Sequence, residues 1–413
     1  MADVKPFRCI RPAKEYVKAV AALPYDVYSR KEAYEKVKGE PLSFLNIDRP
    51  ETQFDESIDM YSKEVYDKAR ELLDKEISDG IFISDNDSVY YIYELTMSGR
   101  RQTGIVACAS IDDYLNNRIK KHEKTRADKE LDRINHVDTT SAQTGPIFLA
   151  YRSNEVINGI VSKVKETDAL YDFVSDDDIS HRVWKIADVG DVKAIEEAFA
   201  GINSIYIADG HHRAASAVKV GLKRREEHPG YTGTEEFNYF LSVLFPDEEL
   251  MIMPYNRVVK DLNGLTKDEF FEAVSKYFDV EECGKKAFYP ENKGSFGLYI
   301  DGEWYLLKAK ESIMSEDPVD GLDVAILQDY LLTPVLGIGD PRIDKRIDFI
   351  GGIRGLEELE RRADSDMKLA ISMYPTSIFE LFNVADADML MPPKSTWFEP
   401  KLRSGIFIHK IEE

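Results

Sequence analysis

The sequence predicts a mixed α/β (α+β) protein, and three observations carry that prediction. Short strands rich in Tyr and β-branched residues alternate with amphipathic helical patterns, one strand runs through Asp209-Gly210 into a helix, and the alternation restarts after a Pro- and Asn-containing break near 250–265. The break separates a domain at 1–250 from an α/β domain at 251–413. With 413 residues the chain has room for two or three domains of about 100–200 residues, each with its own core.

In chain order, Leu23-Pro24-Tyr25-Asp26-Val27 reads as a loop that places Asp26 ahead of a helix from Ser29 to Lys38, with Ser29 as its N-cap. Ile58, Tyr61, Val65, Ala69, Leu72 and Leu73 mark one face of a helix across 55–76. Val89–Thr96 and Thr103–Ser110 form a hairpin around Ser98-Gly99. A polar stretch at 116–140 precedes an apolar strand at 146–151. Helices at 154–168 and 190–200 then alternate with strands at 181–187 and 204–208, and a helix runs from Gly210 to about Glu227. Phe240–Phe245 and Leu250–Met253 read as a hairpin across Pro246–Glu249. In the second domain the pattern predicts a helix at 267–277, a hairpin at Asp301-Gly302, a helix from Val319 to Leu332 and a final strand from Gly405 to Ile411.

Composition limits the function. Hydrophobic residues make up 43% of the chain, which excludes a disordered protein, and the net charge of −22 opposes a nucleic-acid duplex as partner. Cys9, Cys108 and Cys283 form no CxxC and leave one thiol over in any pairing, which suits a reducing cytoplasm. The first residues lack a signal-peptide apolar run, and no apolar stretch reaches the roughly 18 residues of a membrane span, so neither secretion nor membrane insertion is expected.

Three segments carry candidate chemistry. In Asp209-Gly210-His211-His212-Arg213 a strand end, a glycine turn, a helix N-terminus and an Arg coincide, an arrangement suited to a phosphate; an ordinary capped helix with a solvated first turn fits the same residues. Metal binding by His211 and His212 is disfavoured, because adjacent helical residues diverge by about 100°. Residues 118–133 hold seven Lys or Arg against four Asp or Glu, and Glu123 lies between His122 and Lys124. A carboxylate among cations stays ionised and accepts a hydroxyl proton, whereas a solvated helix face explains the same run. Lys394-Ser395-Thr396, after Pro392-Pro393 and before Lys401, lacks the glycines of a Walker A loop; it reads as an anion clamp or as a stiff polar loop.

Together, Pro24-Tyr25-Asp26-Val27, His122-Glu123-Lys124-Thr125, Asp209-Gly210-His211-His212-Arg213 and Pro392-Pro393-Lys394-Ser395-Thr396 with Pro400-Lys401 resemble a family of uncharacterised ParB-like domains, across nearly the whole chain. The resemblance implies a ParB/sulfiredoxin-like catalytic domain at 1–250 and a C-terminal domain contributing the Lys-Ser-Thr loop. The Asp-Gly-His-His-Arg motif is similar to that of free-serine kinases. In the ParB pattern GxxRxxA, Gly210 and Arg213 match but Ser216 replaces the Ala, and no basic helix-turn-helix follows, which weighs against DNA partitioning.

What the resemblance implies is a cytoplasmic small-molecule kinase that phosphorylates free L-serine, with ATP, ADP or pyrophosphate as donor and Mg²⁺ as cofactor. Gly210 and the following N–H groups would hold the donor phosphate, Arg213 would neutralise it, and Asp209 would bind Mg²⁺ or the reacting hydroxyl. His211 and His212 would orient a carboxylate or stabilise phosphoryl charge. Glu123 is the first choice of base and Asp26 the second; Asp26, His122 and Thr125 would bind substrate or phosphate, while Lys394, Ser395, Thr396 and Lys401 would close on a phosphate from the other domain. The alternative is a ParB-like nucleotide-binding or hydrolysing regulatory module without an acceptor.

Overall fold

Strand pairing in the first half of the chain builds a mixed sheet that brings distant segments to one end of the strand Ile205–Asp209. The computed structural model describes residues 2–125 and 127–412, so Arg126 of the basic run lies outside the described residues. The chain divides into two units, Met1–Leu250 with Pro400–Glu413, and Met251–Glu399. The last segment, read from the sequence as the end of the second domain, therefore belongs to the first unit.

Among the described residues, nine strands form the first unit's main sheet. From one edge the order is Ile119–Lys120, Ile205–Asp209, Ile147–Tyr151, Tyr239–Pro246, Arg100–Ser110, Tyr90–Met97, Ser180–Ile186 and Tyr171–Val174, and Val4–Lys5 also pairs with Arg100–Ser110. Ile205–Asp209 runs parallel to Ile119–Lys120, and Tyr239–Pro246 runs parallel to Ile147–Tyr151; the remaining pairs of this sheet are antiparallel. Helices Glu155–Lys165, Val189–Ala200 and His211–Glu227 supply Ile157, Ile195, Phe199, Ala214 and Val218 to a core with Ile92, Ile105, Leu149, Ile205 and Ile207. Each fully buried large aliphatic side chain contributes about 1.5–3 kcal/mol. A second cluster joins Val20, Phe44, Ile47, Ala69, Leu73, Phe82 and Ile408.

Local chemistry sets several element boundaries. Ser29 and Glu32 close a capping box at the start of helix Arg30–Val37. The helix expected over 55–76 begins only at Lys63, because the Asp55 and Asp59 carboxylates accept from Ser57 N and Tyr61 N at 3.0 Å each and turn the chain. Ser98 and Gly99, at φ of 50° and 80°, make the expected hairpin turn between Tyr90–Met97 and Arg100–Ser110. The polar stretch ends in helix Ala127–Thr140.

The hairpin expected across Pro246–Glu249 does not form. Tyr239–Pro246 is already paired on both sides, and Ile252–Met253 pairs with Trp397–Phe398 in the second unit. The expected final strand shortens to His409–Lys410, which pairs with Ala142–Gln143.

In the second unit a six-stranded antiparallel sheet has the order Phe278–Gly284, Glu303–Ala309, Ser295–Ile300, Leu369–Met373, Tyr255–Val259, Ile347–Gly351. The helix Lys267–Val274 and the segment Asp323–Leu332 pack on it through Phe270, Val274, Ile326, Leu327 and Leu331. The helix expected from Val319 starts at Asp323, since the Asp317 carboxylate takes the Val319 and Asp320 amides.

Candidate functional site

The parallel pairing of Ile205 with Ile119 and Tyr206 with Lys120 decides where the candidate residues go. Both chains leave the sheet in the same direction, which sets His122 and Glu123 beside Asp209 and His211. The antiparallel neighbour Ile147–Tyr151 starts at this same end, bringing Thr144-Gly145-Pro146 alongside. The C-terminal segment passes here too: Gly405 N donates to Thr144 O at 3.2 Å, and Lys401 lies a few residues earlier.

Gly210 has φ 93° and serves as N-cap of the 17-residue helix His211–Glu227, whose first turn holds no acidic residue. Such a terminus presents unpaired N–H groups and the positive end of the helix dipole. A Cβ at position 210 would lie 3.1 Å from Cζ, Nε and Nη2 of Arg213, so the glycine serves both the turn and the close guanidinium. Arg213 is clamped in place: Nη1 donates to Pro146 O at 2.5 Å, and Nη2 donates to Asp209 Oδ2 at 2.9 Å. Lys401 Nζ stands 3.6 Å from the other oxygen, Asp209 Oδ1. Burial by itself would raise the Asp209 pKa, but the charges of Lys401 and Arg213 outweigh it and hold the carboxyl below the ordinary range.

His122 and His211 are both buried, and their rings meet edge to face with centroids 4.5 Å apart. Burial is the main reason both pKa values fall, that of His122 to about 4 and that of His211 well below its ordinary value, so both imidazoles are neutral near pH 7. Glu123 is half-exposed, with Oε2 at 3.8 Å from His211 Nδ1. His211 Nε2 and His122 Nδ1 are buried with no hydrogen-bond partner among the described residues.

Thr125 Oγ1 donates to Glu130 Oε2 at 2.8 Å, and Glu130 also pairs with Lys219. The carbonyl of half-buried His212 accepts from Ser216 Oγ at 2.7 Å. Thus Ser216, where the ParB pattern has Ala, ties its own helix together and also bonds Glu130 O at 3.0 Å.

The other expected residues lie on other segments. Asp26 is exposed in the 3₁₀ turn Tyr25–Val27. Lys394, Ser395 and Thr396 belong to the second unit, where Lys394 Nζ sits 5.3 Å from the centroid of the Tyr255 ring and Ser395 Oγ donates to Pro392 O at 2.6 Å. Lys401 was expected to close from the other domain with them; it is instead part of the first unit. Asp209 was the expected Mg²⁺ ligand, but both its oxygens face cations, and among the described residues no group of three His, Cys, Asp or Glu could hold a metal ion. This donor set does not fit a metal held by the protein. Sequence reasoning missed the Pro146 carbonyl that clamps Arg213; the Gly-Pro pair ahead of an apolar strand was the available signal.

A family profile described as "Protein of unknown function (DUF1015)" matches residues 4–325. No curated protein matches the sequence. Among solved structures, the chain is similar to a mutant of a free serine kinase in complex with AMP, at 13% identity and TM-score 0.37, covering 74% of this chain and 92% of that one. It is also similar to a conserved hypothetical protein from Pyrococcus furiosus (14%, TM-score 0.35, 74% and 94% covered) and to a C-terminally truncated SbnI from Staphylococcus aureus (9%, TM-score 0.37, 71% and 82% covered). Among the described residues, no helix is long and apolar enough to cross a membrane.

Proposed function

We propose that this chain, which belongs to the DUF1015 family, is a phosphotransferase that moves a phosphoryl group from ATP, ADP or pyrophosphate to the hydroxyl of free L-serine, giving O-phospho-L-serine. The observation that supports this reading most is the convergence of three segments far apart in sequence on the end of one strand: Glu123 with His122, Asp209 to Arg213, and Lys401. Phosphoryl transfer depends mainly on positioning and charge neutralisation, and these residues supply both.

In this reading the first-turn N–H groups after Gly210 and the charges of Arg213 and Lys401 hold the donor phosphate. The seryl oxygen attacks phosphorus in line, the bond to the leaving phosphate or nucleotide breaks, and the hydroxyl proton passes to Glu123. Neutral His211 next to Glu123 orients that carboxylate. Asp209 fixes Arg213 and Lys401 rather than coordinating a metal. Mg²⁺ enters as a companion of the donor's own phosphates.

The test is to incubate the purified protein with Mg²⁺, L-serine and each donor in turn and follow the phosphorus resonances. O-phosphoserine is expected with one of the donors. Free phosphate released without serine, and no phosphoserine with any donor, would replace the kinase with a hydrolysing nucleotide module. Glu123→Gln should abolish transfer and spare donor binding, whereas Arg213→Ala should weaken donor binding itself. Wild-type activity in both variants would remove the proposed roles.

A further inference from the structure

We infer that the main sheet carries a second ligand site at the end away from Asp209, a cavity for an aliphatic primary amine whose ammonium group is received by Glu249 and Tyr151. Tyr151 pairs with Ile205, which starts the strand that Asp209 ends, so the two sites lie at opposite strand ends and neither needs the other. Helix Glu155–Lys165 contributes Asn158, Val161 and Lys165 to the wall, and the neighbouring strands contribute Thr103, Tyr151 and Pro246. The cavity measures about 410 Å³ to the centre of a water molecule, and every residue lining it belongs to the first unit. One water needs about 10–15 Å³ on this measure, so a small organic molecule fits.

Tyr151 gives the first pointer to a ligand. Its ring packs edge to face against Phe199 in the core and the residue is 1% exposed, yet its hydroxyl has no hydrogen-bond partner among the described residues. A buried hydroxyl left unpaired is costly, and a ligand removes that cost. The charges this hydroxyl feels are those of Glu249, Asp247 and Glu248, which with burial keep it protonated.

Glu249 gives the second. It is half-buried, its Oε2 accepts from Thr103 N at 3.2 Å, and among the described residues it has no ion-pair partner. Burial raises its pKa against the pull of the Thr103 amide, Lys165 and Arg100, and Glu94 adds to the rise. The nearby cations are occupied. Lys165 Nζ is spent on Glu94 Oε2 at 2.5 Å and on Thr103 Oγ1 at 3.2 Å, and Arg100 Nη2 donates to the Glu249 carbonyl at 2.8 Å. The unbalanced charge is therefore negative, which disfavours an anion. Among the described residues no group of three His, Cys, Asp or Glu could hold a metal ion, and an organic cation remains.

An ammonium group brings three N–H donors and no acceptor. The wall offers Glu249 Oε1, Tyr151 Oη and Asn158 Oδ1, all acceptors without a donor among the described residues, since Asn158 turns its amide nitrogen to Ser153 Oγ at 2.8 Å. Ile105, Val161 and Pro246 supply the apolar surface that a short methylene chain covers.

Calorimetry of the full chain with n-butylamine, 1-butanol and butyrate at constant ionic strength tests this. n-Butylamine should bind, and the alcohol and the carboxylate should bind at least tenfold more weakly. Glu249→Gln keeps an acceptor for the Thr103 amide and should weaken the amine at least tenfold. Tyr151→Phe keeps the ring in the core and should weaken it about threefold or more. Glu281→Gln, on the edge strand Phe278–Gly284 of the second unit, should leave it unchanged.

Equal binding of amine and alcohol, or an equal loss in Glu249→Gln and Glu281→Gln, would show only diffuse attraction to an acidic chain and would overturn the assignment. Tighter binding of butyrate would overturn it by giving the cavity to Lys165. No binding of n-butylamine up to about 10 mM would leave the cavity to water and overturn it too. The comparison of the three ligands uses the unaltered chain, so it decides the matter even where a variant fails to fold.

Discussion

Replacing Gly210 with Ala separates the cost of a backbone conformation from the loss of a ligand contact. At φ 93° a non-glycine residue costs about 1–2 kcal/mol. The added Cβ would also sit 3.1 Å from three atoms of the Arg213 guanidinium, which must yield by a few tenths of an ångström. Arg213 yields only by stretching its bonds to Pro146 O and Asp209, and a bond of this charged kind is worth roughly 1.5–3 kcal/mol.

The internal control is Gly80→Ala, a position with φ 76° and nothing within 4 Å of the added methyl, which carries the backbone cost alone. Thermal and denaturant unfolding should show about 1 kcal/mol lost in Gly80→Ala and about 2–3 kcal/mol in Gly210→Ala, the latter a drop of roughly 4–10 °C in Tm. Donor binding, measured by calorimetry with ADP or pyrophosphate, should fall at least tenfold in Gly210→Ala and stay unchanged in Gly80→Ala. Equal destabilisation and equal binding in the two variants would refute the coupling between the turn and Arg213.

Lys401→Met removes the cation beside Asp209 Oδ1, so the Asp209 pKa should rise; the acidic limb of the activity profile should move to higher pH and the donor KM should increase about tenfold or more. Burial depresses the His122 pKa from 6.5 to about 4, so its contribution is complete above pH 6.5 and is lost as pH falls toward 4, by roughly 3 kcal/mol at most. Urea unfolding across that window should show the loss, and His122→Gln should flatten it. Burial raises the Asp323 pKa from 3.8 to about 7, so its penalty grows as pH climbs between those values. Asp323→Asn retains an acceptor for the Gly294 amide and should gain about 1–3 kcal/mol at pH 8 and nothing near pH 4; an unchanged difference across pH would count against the burial argument.

The strand, turn and helix at 204–227 were legible because Asp209-Gly210 punctuates an apolar run with residues that only a turn favours. The neighbours of that turn were not. Its parallel partner Ile119–Lys120 is some 86 positions away, and two residues carry no periodicity. Arg133 read as one more cation in a solvated run, yet it is buried against Tyr25, because the partner that decides its fate lies on another segment. The Pro246 hairpin failed for the same reason: alternation identifies a strand but says nothing of which edge is already taken. Lys401 was grouped with the Lys394 loop, and its place in the first unit, beside Asp209, could be known only from the non-local pairing of His409 with Gln143.

The return of Pro400–Glu413 to the first unit has a consequence for the order of assembly. During synthesis the unit Met251–Glu399 is contiguous and can fold as soon as it has emerged, whereas the first unit must wait for a closing segment made after it. Until then Ile10, Ala22 and Gln143 lack Ile408, Ser404 and His409, and Asp177 lacks the Arg403 guanidinium. Lys401 travels in that same segment, so the cation facing Asp209 arrives with the last stitch of the fold, and a nascent chain cannot assemble the site before the fold around it is closed.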